Sequence, residues 1–149
     1  MLTFKKLEAR RSALERRAMG AAVGLRRVYE TLALARTDLA PVRAKVHNST
    51  DVQGVLEDIL DVETALGELA ESEFAAEAAR KGGVGIQHET ALMLKAVRLT
   101  GATRPLFFGL TKLQYADESA CFGDLYEVLG CLEWAEAKIK TAEDIISAV

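Results

Sequence analysis

The sequence predicts an all-α fold, an elongated helical bundle forming a single domain over residues 1–149. Three observations carry that expectation. Apolar residues recur in alternating steps of three and four, the spacing of a helix seam. Half of the chain is hydrophobic, and Ala, Leu, Glu and Arg dominate, a composition that favours helix. Only two prolines interrupt it, and no run reads better as strand than as helix. A chain of this length buries roughly 70% of the surface its unfolded form exposes, enough for one core.

The first element shows the pattern most clearly. Phe4, Leu7, Arg11, Leu14, Ala18, Ala21, Leu25, Val28, Leu32, Ala35 and Leu39 form a heptad seam that only Arg11 breaks. This predicts a helix over about 3–37, on the order of 50 Å long. Gly20 and Gly24 weaken it by roughly 1 kcal/mol each. The spacing persists through Val42 and Val46, but Pro41 removes a helix hydrogen bond and clashes one turn back. A kink or break is therefore expected near Asp38, which is also placed to cap a short helix with Pro41 in its first turn.

His47, Asn48, Ser49 and Thr50 read as a turn with a helix cap. The next helix is expected over about 51–80, with the seam Val52, Val55, Ile59, Val62, Leu66 and Leu69 and Phe74 near its end. After the glycines that follow come two short apolar helices, over about 86–100 and 105–117. Gly101–Pro105 is read as the break between them, with Pro105 opening the second. These two are expected at the buried centre. The last heptad helix is expected over about 119–148, with Cys121, Leu125, Val128, Leu132, Ala135, Ile139, Ala142, Ile146 and Val149 on its seam.

Cys121 and Cys131 then lie on one helix, roughly 15 Å apart. A disulfide needs Cα atoms within about 7 Å, so these two cannot bridge each other. Free thiols point to a reducing, cytoplasmic or intracellular setting, with an intermolecular disulfide left open. The N-terminal MLTFKKLEARR lacks the apolar core of a classical secretory signal. No run of about 18 apolar residues is present to span a membrane.

Lys81-Gly82-Gly83-Val84-Gly85 resembles the opening of the variant phosphate-binding loop of partition-type ATPases, KGGxGK[ST]. In that loop a lysine reaches the terminal phosphates and a hydroxyl holds magnesium. Here Ile86 and Gln87 stand in those places, and helix precedes the glycines where a buried strand is required. The stretch is read as a helix stop followed by a turn. His47 and His88 belong to no ligand pattern, no Glu-x-x-His pair occurs, and the cysteines lack zinc spacing. No catalytic residue, cofactor or metal is assigned. Trp134, Tyr126 and Tyr115 are read as core or helix-contact residues.

Charge is unevenly distributed. Residues 1–27 hold Lys5, Lys6, Arg10, Arg11, Arg16, Arg17, Arg26 and Arg27 against Glu8 and Glu15. Residues 51–77 are rich in acids and contain no lysine or arginine. Heptad positions place Arg10 and Arg17 beside the seam, within reach of a neighbouring helix such as the acidic one. Lys5, Lys6, Arg16, Arg26 and Arg27 point away from it, as a basic outer face. Glu57, Asp58, Asp61, Glu68 and Glu71 form the acidic counterpart. The basic face is open to three readings: a solvated surface, a contact with the acidic face of another copy, or a contact with phosphates of nucleic acid or an anionic membrane.

The expected function is that of a non-enzymatic structural protein, a self-assembling helical subunit of coat, filament or scaffold type whose partners are other copies of itself. One alternative is an accessory subunit that lays its basic first helix along nucleic-acid phosphates. A second is a membrane-surface remodelling protein using Phe4, Leu7 and the neighbouring lysines.

Overall fold

The computed structural model describes residues 1–34, 51–71 and 85–149. Four helices and no strand occur among them: α1 (Phe4–Leu34), α2 (Val52–Glu71), α3 (Gly85–Cys121) and α4 (Leu125–Ala148). The all-α bundle expected from the sequence is what forms. The expected break near Asp38, the turn at 47–50, Phe74 and the glycine turn at 81–84 lie outside the described residues.

The helix starts follow local chemistry. Thr3 caps α1, its hydroxyl accepting from the Lys6 amide at 3.2 Å. Asp51 caps α2, its carboxylate accepting from the Gln53 amide at 3.4 Å. Such caps satisfy amides that have no partner within the helix.

Two boundaries differ from expectation. α3 does not break at Gly101–Pro105 but runs through both as one helix. Proline at 105 leaves the Gly101 carbonyl without its donor, yet Gly101 is exposed and water can serve it. Packing on both sides decides the outcome. Leu99, Leu106 and Leu110 are completely buried. Burying each contributes about 1.5–3 kcal/mol, which together outweighs the cost of about 3 kcal/mol for an interior proline. The buried Thr103 hydroxyl lies 2.8 Å from the Thr100 carbonyl and 2.8 Å from Glu63 Oε2, its one proton serving either. Arg104 donates to Glu63 Oε1 at 2.8 Å, so α2 is fastened beside the proline turn.

The second difference is at Cys121. The helix expected over 119–148 starts only at Leu125, because α3 ends in a reversal at residues 122–124. Gly123 adopts φ +75°, a left-handed conformation that suits glycine. Its amide bonds the Ala120 carbonyl at 3.1 Å, and the Asp124 amide bonds the Ser119 carbonyl at 3.2 Å. This is the paired bonding of a Schellman stop. Asp124 then caps α4 by accepting from the Glu127 amide at 3.0 Å. The two cysteines are thus on different helices, Cys121 exposed and Cys131 buried, both free.

α3 and α4 form a tight antiparallel hairpin and make the most extensive contact of any helix pair. They approach closely at Gly109, where an added Cβ would sit 2.9 Å from Ile139 Cγ1 and 3.5 Å from the Ala135 carbonyl oxygen. α1 packs on both helices. Arg10 meets Glu136 and Arg17 meets Glu143, so a seven-residue step on α1 matches the same step on α4 and the two run parallel. The core lies between them: Leu7, Leu14, Ala18 and Leu25 of α1, Val55, Ile59, Val62 and Leu66 of α2, Leu106, Leu110 and Leu113 of α3, and Leu132, Ala135 and Ile139 of α4.

Gly109→Ala is expected to destabilise the protein by about 1–3 kcal/mol through overpacking against Ile139. Gly20→Ala has open space for its methyl group and is expected to stabilise by up to about 1 kcal/mol. Denaturant midpoints of the two variants against the parent chain check both signs.

Candidate interaction surfaces

The arginines of α1 divide into two sets. Arg10, Arg11 and Arg17 are used inside the chain. Arg10 Nη2 donates to Glu136 Oε2 at 2.6 Å. Arg17 grips Glu143 with two nitrogens, at 2.5 Å and 3.5 Å, and lies 3.7 Å from Glu136. Arg11, the residue that interrupts the apolar seam, bonds Glu15 and reaches Asp117 at 2.9 Å. Its stem packs at the α1–α3 boundary with the guanidinium turned to acids, as a long cationic side chain can do. The acids that serve α1 belong to α3, α4 and α1 itself. The acidic helix, one neighbour the sequence offered, supplies none of them among the described residues.

Of the predicted basic face, Lys5, Lys6, Arg16 and Arg27 are exposed. Lys6 donates to the Met1 carbonyl at 3.0 Å. Arg26 is half-buried and pairs with Glu30 on its own helix at 3.1 Å, so it leaves the set of outward charges. Lys5, Arg16 and Arg27 make no ion pair with a described residue. They stand eleven residues apart, close to three helical turns, and so share one face.

Of the predicted acidic face, Glu57, Asp61 and Glu68 are exposed on the outer side of α2, with Leu60 and Thr64 between them. None of the three acids pairs with a described cation. Asp58 is half-buried, and the Glu71 side chain lies outside the described residues. The stripe from Glu57 to Glu68 is about 16 Å long.

A further surface was not anticipated. Tyr115, Tyr126 and Trp134, expected in the core or between helices, are exposed by 57%, 79% and 41%. Leu94, Phe108 and Tyr115 are exposed on α3, and Phe122 is exposed just past its end. With Gly101 they stand at seven-residue intervals, one column along the outer side of the helix. The column is legible only once α3 is continuous, since a break at Gly101–Pro105 separates Leu94 from the rest. Beside it, Lys112 Nζ lies 5.4 Å from the Tyr115 ring centre and 5.3 Å from that of Trp134. Lys138 Nζ also lies 5.3 Å from the Trp134 ring centre. The rings attract both ammonium groups and hold them at the surface. Neither lysine has a carboxylate partner among the described residues.

Among the described residues no group of three or more His, Cys, Asp or Glu side chains is placed to hold a metal ion. No described helix is long and apolar enough to cross a membrane. Comparison of the chain with known protein families, with curated proteins and with solved structures finds no match.

Two consequences are measurable. The Arg10 hydrogen bond, followed by the charges of Arg10 and Arg17, holds the Glu136 carboxyl below its ordinary range against the opposing effect of burial. A depressed carboxylate stabilises the fold above the unfolded value of about 4.3 and loses that contribution as pH falls through the folded value. Because Glu136 is 42% exposed, the contribution stays below about 1 kcal/mol. Glu136→Gln should therefore be less stable than the parent at pH 7, with the gap closing below about pH 4 in thermal melts. Burial pushes the Cys131 thiol up, which keeps it protonated at neutral pH. A thiol reagent should label Cys121 alone in the folded protein and both cysteines in denaturant, read by mass spectrometry.

Proposed function

We propose that this chain is a non-enzymatic structural subunit that assembles with other copies of itself, as part of a coat, filament or scaffold inside the cell. The observation that carries the reading is the outward charge of opposite sign on separate helices, which finds no partner among the described residues. α2 presents Glu57, Asp61 and Glu68 outward and contains no lysine or arginine of its own. Cations without carboxylate partners among the described residues stand on α1 and on the α3–α4 hairpin. Opposite faces on one chain favour a heterologous contact, which repeats into rings or open filaments. The two free cysteines suit a reducing cytoplasm.

The internal ion pairs sharpen the argument. Arg10, Arg11 and Arg17 find acids on neighbouring turns and helices, whereas Lys5, Arg16 and Arg27 have no ion pair among the described residues, so their charge is left to face outward there. Complementary surfaces of this kind speed association and set its register more than they add affinity.

Light scattering of the purified protein with an in-line absorbance ratio tests the reading. Large species free of nucleic acid are expected at low salt, shrinking as salt rises. Glu57→Lys with Asp61→Lys and Glu68→Lys should leave a monomer. A small species that carries nucleic acid until salt strips it off, with no response to the acidic reversals, would replace this reading by phosphate binding through α1.

A further inference from the structure

Resting on the self-assembly reading, we infer that the acidic outer stripe of α2 docks on the aromatic–lysine surface of α3 and α4 of a second copy. The outer face of α1 is the rival cationic surface, and three features of the molecule favour the α3–α4 hairpin over it.

The first is the composition of the acidic stripe. Leu60 is exposed at its centre, flanked by Glu57 and Asp61. An apolar side chain inside an acidic stripe needs a surface that is both apolar and cationic. Phe108, Tyr115 and Trp134 with Lys112 and Lys138 provide that combination. The outward cations of α1 instead stand beside Ala9, Gly20 and the exposed Val23, with Phe4 at the helix end as their one exposed ring and no ring beneath Arg16 or Arg27 among the described residues. Tyrosine and tryptophan are the residues that most often anchor protein contacts, in part because rigid rings lose little entropy.

The second is preorganisation. Lysine ordinarily loses side-chain freedom when it pairs. Here the Tyr115 and Trp134 rings already hold Lys112, and Trp134 holds Lys138. Because the ammonium groups lie over the rings, the surface is better suited to carboxylates meeting the lysines than to bases stacking on bare ring faces.

The third is Gly101. It sits in the middle of a long helix, where glycine costs about 1 kcal/mol relative to alanine. A Cβ there would meet only Ile145 Cδ1 at 3.7 Å, an ordinary contact, so the chain's own packing does not require glycine. The position is on the exposed column, one step of seven before Phe108. A bare backbone at that point lets another helix approach α3 closely. From Gly101 to Tyr115 the surface extends about 21 Å, long enough to seat the stripe of about 16 Å on α2.

The α2 stripe and the α3–α4 surface consist of different residues, so the contact is heterologous and can propagate. It also leaves the α1 face uncommitted.

The test is a charge exchange followed by light scattering, with helix content checked by circular dichroism. Lys112→Glu with Lys138→Glu should raise the protein concentration needed for assembly by about tenfold or more. Arg16→Glu with Arg27→Glu should leave it unchanged. A chain carrying Glu57→Lys and Asp61→Lys should also fail alone, and mixing it with the Lys112→Glu, Lys138→Glu chain should restore assembly. All six substitutions replace charges at the surface, so each chain is expected to fold. If the α1 reversal abolishes assembly and the lysine reversal does not, or if the mixture stays unassembled, the docking is overturned while self-assembly stands. If the parent chain forms no assembly at any salt or concentration, both readings fall.

Discussion

The rest of the structure depends on α3 remaining one helix across Gly101 and Pro105. It packs against each of the other three helices and makes the most extensive contacts of any element. The buried line from Leu99 through Leu106, Leu110 and Leu113 is shared with all of them. A break in the middle would separate the half that binds α2 through Thr103 and Arg104 from the half that meets α1 through Asp117. It would also divide the exposed aromatic column. A local penalty of about 3 kcal/mol is therefore accepted at one peptide unit because burial on either side exceeds it.

Charge has a similar division of labour. A helix as basic as α1 must be held beside apolar neighbours without leaving cations stranded at the boundary. Arg10, Arg11 and Arg17 resolve this by reaching carboxylates at the seam's edge. Each partly exposed pair is worth only about 0.2–1 kcal/mol. Their larger effect is on register, since Arg10–Glu136 and Arg17–Glu143 fix both the direction of α1 and its height against α4. The remaining cations on α1 are then aligned on one outward face by the same helical repeat.

Much of this was legible in the residues, and the exceptions have physical causes. Heptad arithmetic placed Leu7, Leu14, Ala18 and Leu25 in the core and Arg10 and Arg17 beside a neighbouring helix. It could not say which neighbour, because spacing describes one helix at a time. The reversal at Gly123 was written locally, as glycine followed by Asp124 and then Glu127 three residues later. The three-and-four apolar spacing continues through it unbroken and masks the stop. At Pro105 the opposite happened, and a strong local breaker was overridden by burial. A continuous α3 joins Leu94 and Gly101 to the column of Phe108 and Tyr115, whereas Tyr126 and Trp134 stand on α4 and are exposed independently of it. A tryptophan in a long amphipathic pattern otherwise looks like core.

The pairing of α1 with α4 has a consequence for the order in which the protein takes shape. Arg10 and Arg17 are each separated from their carboxylate partners by 126 residues. The α3–α4 hairpin closes across only a short reversal and can form as soon as both its strands of chain exist. α1, made first, must wait. At ribosomal rates of about 5–20 residues per second, its partners follow roughly 6–25 s later. α2 and α3 can cover part of its seam sooner. The side that faces α4 stays bare with Arg10 and Arg17 until Glu136 and Glu143 arrive, and for that time the newborn helix offers chaperones an apolar, cationic strip.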